Sequence, residues 1–219
     1  MYFASRVEAG QKLAEQIGKK YQKKKCAVVA LSDGSVMVGA QIALKLKCVL
    51  TMLMTEPIEL PREPDPIAGI TQDGSFSYNK AYSPGELEDM ISEYRGLIEQ
   101  EKMTHMQNLH RLVGKGGLIR RDLLKDHVVI LVSDGLSNGF SIDIALEFLK
   151  PIPLQRLIIA TPLASVLAVD RMHVLADEIY CLSVVEDYIS TNHYYDKQDI
   201  PSHALVVKTI DELIGHWKA

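Results

Sequence analysis

Short apolar runs alternate along this chain with stretches in which apolar positions recur every three or four residues. Phe3, Val7, Gly10, Ala14, Ile17 and Tyr21 carry the second spacing, which predicts an amphipathic opening helix. The run CAVVAL (26–31) follows, then a helix through Ile42, Ala43 and Leu46, then a second run, CVLTMLM (48–54). Strand, turn, helix and strand in that order predict a parallel pair. Pro57, Pro61, Pro64 and Pro66 then rule out a helix or a central strand and predict a rim loop. Residues 67–79 predict a hairpin that turns at Asp73-Gly74.

From Pro84 onward, Leu87, Met90, Ile91, Tyr94, Leu97, Ile98, Met106, Leu109 and Leu112 form the apolar face of a long helix. Gly114, Gly116 and Gly117 end it and predict a mobile joint. VVILV (128–132) is apolar throughout, as befits the centre of a parallel sheet. Ile142, Ala145, Leu146 and Leu149 predict the next helix, which Pro151 and Pro153 terminate. LIIA (157–160), a helix around 164–175 and EIYCLSV (178–184) repeat the alternation. Thr209 and Glu212 have the spacing of a capping box for a terminal helix. The expectation is one α/β domain over residues 1–219, built on a doubly wound, mainly parallel sheet.

Composition narrows the function. With 24 basic against 28 acidic side chains the net charge is −4, which argues against nucleic-acid or anionic-membrane partners. No apolar stretch approaches the ~20 residues that cross a bilayer. The N-terminus runs straight into a charged amphipathic pattern, so no signal peptide is expected and the localisation is read as cytoplasmic. Cys26, Cys48 and Cys181 are odd in number and read as buried, reduced thiols. Lys19, Lys20, Lys23, Lys24 and Lys25 close the opening helix, where cations offset its dipole, and that reading is preferred to phosphate binding. The seven histidines show no metal-ligand spacing, and His105 and His110 diverge around their helix, so no metal ligands are assigned. No Gly-x-Ser-x-Gly elbow and no phosphate-binding P-loop motif occurs.

The chemistry concentrates between the apolar run 128–132 and the helix that follows it, in Ser133, Asp134, Gly135, Leu136, Ser137, Asn138, Gly139, Phe140 and Ser141. Ligands of open α/β sheets bind at the carboxyl ends of strands, which is where this segment falls. Gly135 and Gly139 permit a tight turn and close backbone approach. Ser137, Asn138 and Ser141 offer side-chain donors, and the amides opening the next helix complete an anion cradle. Asp134 at the strand end is expected to accept hydrogen bonds from a sugar diol. A receiver-type phosphoacceptor role for Asp134 needs a neighbouring acidic pair, for which only Asp33 qualifies.

This segment resembles the phosphoribosyl-pyrophosphate loop of type I phosphoribosyltransferases, VDDGxATGxT. Phe3, Arg6, Glu8, Ala9, Gly10, Leu13 and Ala14 resemble the F-x-D-R-x-x-A-G-x-x-L-A opening of a bacterial branch. ALSDGSVMVGAQIA (30–43), PIAGITQDG (66–74) and HYYDKQD (193–199) fall in order where that branch has ALPRGGVPVAAEIA, a hairpin motif and a WY-x-D-F-x-Q-x-x-D tail. The resemblance implies a small hood within roughly 57–125. It also implies a mobile basic loop, which would be Arg111, Lys115, Gly116, Gly117, Arg120 and Arg121 if these are not simply a solvated connector.

Departures from the pattern bear on activity. Ser133 stands where the family has its first acid, Asp134 keeps the second, and Asn138 replaces a threonine. The diphosphate loop position reads Ser32, Asp33, Gly34, Ser35, so Asp33 replaces a cation. Thr55 and Glu56 stand where the branch has Arg-Lys. Losing one preorganised donor costs about 3–4 kcal/mol of barrier. Charge reversal beside the leaving group adds roughly 4 kcal/mol. Together they amount to a slowing on the order of a million-fold. Catalytic residues are therefore left unassigned.

The resemblance leaves three readings open. One is a transferase moving phosphoribose from phosphoribosyl pyrophosphate to a nitrogenous base with Mg²⁺. Another is a non-catalytic sensor of a nucleoside monophosphate or phosphosugar. The third is an assembly protein keeping only the fold, and a homodimer is the expected state.

Overall fold

The computed structural model describes residues 2–113, 119 and 121–217, and its chain divides into two compact units. The first comprises 1–53, 119–139 and 152–219, and the second 54–118 and 140–151. Lys115, Gly116, Gly117 and Arg120 of the basic segment, and Gly114, lie outside the described residues.

In the first unit, β1 (Cys26–Ala30), β2 (Val49–Met52), β6 (Val128–Val132), β7 (Arg156–Ser165) and β8 (Glu178–Val185) form one parallel sheet ordered β2-β1-β6-β7-β8. The apolar run 128–132 takes the central place that its lack of polar positions predicts. In-register pairing joins Cys26 to Val128 and Ala30 to Val132, so β1 and β6 end level with one another. Val28, Ala30, Val128, Ile130, Val132, Ile158 and Ala160 share a buried cluster with side chains of α1 (Arg6–Tyr21), α2 (Asp33–Leu46) and α6 (His203–Trp217). The helix α5 (Val166–Leu175) packs on β7 and β8.

Helix starts follow cap chemistry, though not where the expected box placed one. The Ser5 hydroxyl accepts from the Glu8 amide at 3.1 Å, while the Glu8 carboxylate accepts from the Ala4 amide at 2.7 Å. Ser83 and Glu86 cap each other ahead of Pro84, which opens α3 (Pro84–Val113): the Ser83 amide donates to the Glu86 carboxylate and the Glu86 amide to Ser83 Oγ. Thr209 and Glu212 instead lie inside α6, and the Thr209 hydroxyl donates to the Leu205 carbonyl at 2.9 Å. A threonine that bonds back along its own helix caps nothing, so the box expected at 209–212 is replaced by a start at His203.

The second unit has an antiparallel sheet of β3 (Thr55–Ile58), β4 (Ala68–Thr71) and β5 (Phe76–Tyr78), with α3 and α4 (Phe140–Leu149). The hairpin expected over 67–79 is β4–β5, turned by Gly74 at φ 87°. Pro57 lies in β3, so the expected loop begins one strand later; β3 is an edge strand, where proline's missing donor is tolerated. Leu87, Met90, Ile91, Tyr94 and Leu97 of α3 pack with Ile98 against Ile58, Ile67 and Ala68. The helix is kinked at Tyr94 (φ −107°, ψ 19°).

Among the described residues, no helix is long and apolar enough to cross a membrane. Cys26 and Cys48 are buried and Cys181 half-buried, all three as free thiols. Burial pushes the Cys26 thiol up to about 11 and Cys48 to about 12, which keeps them protonated and unreactive at neutral pH.

Two tests follow from the packing. A Cβ on Gly10 would lie 2.7 Å from the Val38 carbonyl oxygen, so α1 and α2 touch through backbone. On Gly18 it would meet only the Lys45 side chain, which is exposed and free to move. Gly10→Ala should cost about 1–3 kcal/mol in urea denaturation. Gly18→Ala should gain about 0.5–1 kcal/mol from helix propensity.

The second test concerns Glu178, whose carboxylate accepts from Lys20 at 2.5 Å and from the Tyr21 and Tyr180 hydroxyls at 2.6 Å. Partial burial pushes its pKa up, but these donors prevail and hold it at about 2. A depressed carboxylate stabilises fully above its unfolded pKa and loses that contribution as pH falls towards the folded value. The urea midpoint should therefore drop more between about pH 5 and about pH 2.5 in the wild type than in Glu178→Gln.

Candidate functional site

The strand order places the point where chain winding reverses between β1 and β6, and ligands of open α/β sheets settle outside the carboxyl ends of such strands. Two segments leave the sheet here: Leu31 and Ser32 into α2, and residues 133–139 toward α4. Ser32 caps α2, its hydroxyl accepting from the Ser35 amide at 3.0 Å. The Ser32 and Ser35 hydroxyls lie 2.6 Å apart, and each donates to Asp134 Oδ1 at 3.0 Å. The Asp134 amide donates to Ser35 Oγ at 3.1 Å, and its carbonyl accepts from the Tyr195 hydroxyl at 2.6 Å.

The other carboxylate oxygen of Asp134 meets Arg6, which is 0% exposed. Arg6 Nε donates to Asp134 Oδ2 at 2.7 Å, Nη1 to Asp199 Oδ1 at 3.0 Å, and Nη2 to Asn192 Oδ1 at 2.5 Å. Its guanidinium stands 4.4 Å from the centre of the Tyr195 ring, a cation–π geometry. Burial lowers the Arg6 pKa, but hydrogen bonds and charge from Asp134, with Asp199 behind them, raise it above its ordinary value. Burial first, then the Asp134 charge, pushes the Tyr195 hydroxyl far up, so it remains a donor. Gly34 has no room for a side chain: a Cβ would fall 2.3 Å from Asp134 Oδ2 and 2.8 Å from Arg6 Nε.

The rest of the loop is held by backbone. Ser133 Oγ donates to the Gly135 carbonyl at 2.9 Å and accepts from the Gly135 amide at 3.3 Å. Leu136 is buried and bridges to Ala164, its amide donating to Leu163 and its carbonyl accepting from Ser165. The Ser165 hydroxyl donates to the Ser137 carbonyl. Ser137 is exposed and Asn138 half-buried. Gly139 sits at φ 75°, in the left-handed region that favours glycine. A Cβ on Gly135 would fall 2.6 Å from the Tyr188 hydroxyl and 2.8 Å from Thr191. Phe140 and Ser141 open α4, which belongs to the second unit.

Sequence reasoning placed Asp134 at the strand end as an open acceptor for a sugar diol. The structure turns it inward, with both oxygens on Arg6, Ser32 and Ser35. Ser32, Gly34 and Ser35 are brought together with it, whereas the Asp33 carboxylate pairs with His203 at 3.0 Å. Thr55 and Glu56 lie in β3 of the second unit, where Glu56 neighbours His105 at 3.7 Å. Arg6, Asn192, Tyr195 and Asp199 were assigned no role. Their signal was an arginine in register with Gly10, Leu13 and Ile17, where the apolar pattern had placed Val7, which is only half-buried.

No family model matches the chain. Two Mycobacterium tuberculosis proteins, from strains CDC 1551 and H37Rv, are provisionally named phosphoribosyl transferases; each is 23% identical over 210 residues, covering 95% of this chain. Over nearly its whole length the chain is therefore similar to proteins named as phosphoribosyl transferases. This phosphoribosyltransferase-like chain spans 46% of the length of those curated relatives. Its fold is shared with the crystal structure of TT1426 from Thermus thermophilus, at TM-score 0.74 and 23% identity, covering 97% of this chain and 99% of that one.

Phosphoribosyltransferase activity would imply Mg²⁺, and the arrangement of carboxylates does not fit an ion held by protein. Asp134 is committed to Arg6 and two hydroxyls, and Asp33 to His203. Among the described residues no three His, Cys, Asp or Glu side chains are grouped to hold a metal.

Removing one member of a buried ion pair strands the other charge away from water. Arg6→Met in this phosphoribosyltransferase-like chain should therefore cost about 3–5 kcal/mol of unfolding free energy, read from urea denaturation at neutral pH.

Proposed function

We propose that the chain binds a 5-phosphoribosyl group, presented as ribose 5-phosphate or a nucleoside monophosphate, on the segment from Ser133 to Ser141. The observation that supports this most directly is the turn at Gly139. Its positive φ and the Leu136 bridge to β7 set the backbone of residues 136–139. The backbone amides of a glycine turn suit a phosphate dianion, and the exposed Ser137 adds a hydroxyl.

Non-catalytic sensing is the favoured form of this reading. Transfer from phosphoribosyl pyrophosphate to a nitrogenous base requires stabilisation of departing diphosphate, with Mg²⁺. Asp33 stands on the first turn of α2, where the resemblance calls for a cation, and Asp134 is already bonded within the protein. A homodimer is the proposed assembly, to be read from light scattering.

Calorimetry with ribose 5-phosphate, nucleoside monophosphates and phosphoribosyl pyrophosphate, with and without Mg²⁺, tests the proposal. Saturable binding of a monophosphate that weakens at least about tenfold in Gly139→Val is expected, since a β-branched residue does not hold the left-handed turn. Turnover of a base in the presence of Mg²⁺ and the pyrophosphate donor would refute the non-catalytic form. Silence with every phosphosugar would refute the binding site itself.

A further inference from the structure

A groove of about 810 Å³ runs along the N-terminal part of α3, lined by Tyr82, Pro84, Leu87, Glu88, Ile91 and Arg95, all within the second unit. Leu87 and Ile91 pack one side on the unit's core and stay only half-buried, with the groove over the other side. Glu88 and Arg95 are exposed, and among the described residues neither has a partner of opposite charge. Lys80 on the rim differs, being paired with Glu147 at 3.4 Å. Gly96 lies in the helix interior, where glycine is unfavourable. A Cβ there would meet nothing within 4 Å, so no packing among the described residues calls for it.

We propose that a second copy of the chain docks on this face, the two α3 helices lying antiparallel across a two-fold axis between residues 91 and 92. The inference gives the proposed homodimer its contact face and rests on that assembly, not on the phosphoribosyl reading. Charge complementarity names the occupant. Glu88 and Arg95 are seven residues apart, which returns an α-helix to within about 20° of the same side. They also lie equally far from the point between 91 and 92, so the two-fold sets Glu88 level with the partner's Arg95, and does so twice. A parallel pair would instead oppose Glu88 to the partner's Glu88, so the charges favour the antiparallel one. Ile91 comes beside the partner's Ile91, while Ser92 and Gly96, one turn apart, leave a flank without bulk where the helices can close up. One patch thus complements itself, as a two-fold interface requires.

Sedimentation velocity on the full chain, over about 1–100 µM, tests the face. The wild type should dimerise within that range. Glu88→Arg and Arg95→Glu should each raise the dimer Kd at least about tenfold, because each sets like charges opposite one another. Combining the two substitutions restores both pairs with their signs exchanged, and should bring Kd back to within about threefold of the wild type. Both side chains are exposed, so the variants should fold, which circular dichroism checks.

Rescue by the double variant is a result that a merely loosened helix would not give. A wild type that stays monomeric throughout overturns the proposal and the homodimer with it. A dimer that neither single substitution weakens overturns this face but leaves the homodimer to another. Weakened single variants that the double variant does not restore overturn the antiparallel pairing. Phosphosugar binding is read separately, since no residue of 133–141 lines the groove.

Discussion

A guanidinium with no access to water must be compensated where it lies, and the first unit is organised around doing so for Arg6. Desolvating one ion costs several kcal/mol, which only close carboxylates and well-aimed hydrogen bonds offset. Arg6 has two carboxylates, an amide oxygen and an aromatic face within reach. Those partners come from three places: the end of β6, the tail at Asn192 and Tyr195, and Asp199. Each is therefore held by a common charge as well as by its own packing. Gly34, the α2 cap and the inward turn of Asp134 follow from the same requirement.

How much of this could be read from the chain differs by level. Strands at 26–30 and 128–132, the hairpin at Asp73-Gly74 and the long helix from Pro84 are local features, visible as period and punctuation. Pro57 misled because proline marks the absence of a donor, which an edge strand tolerates. Thr209 and Glu212 misled because cap spacing also arises inside a helix, where the threonine simply bonds backward. Ser5-x-x-Glu8 and Ser83-x-x-Glu86 carry the same signature at true helix starts, and only the structure separates the three.

At the site, position was more legible than direction. Sequence order sufficed to put residues 133–139 after a central strand, and the fold sets that strand beside the switch in winding. Which way Asp134 faces was not legible, because the answer lies in Arg6, 128 residues away. Four blocks that read as separate resemblances (the opening, residues 30–43, 132–141 and 193–199) supply nearly all the contacts of one buried cluster. Their order along the chain carried a resemblance, and their meeting in space shows a physical need they share.

The span of that cluster also constrains how the unit can be made. Arg6 lies 128 residues from one carboxylate and 193 from the other, so most of the chain must be in place before the charge is matched. Contacts this distant in sequence close late, after the entropy of ordering the intervening chain has been met. A nascent chain that has formed α1 and β1 thus carries an unmatched cation on its apolar face. Partial structures are penalised in proportion, which makes the unit's unfolding close to all-or-none rather than a peeling of one end.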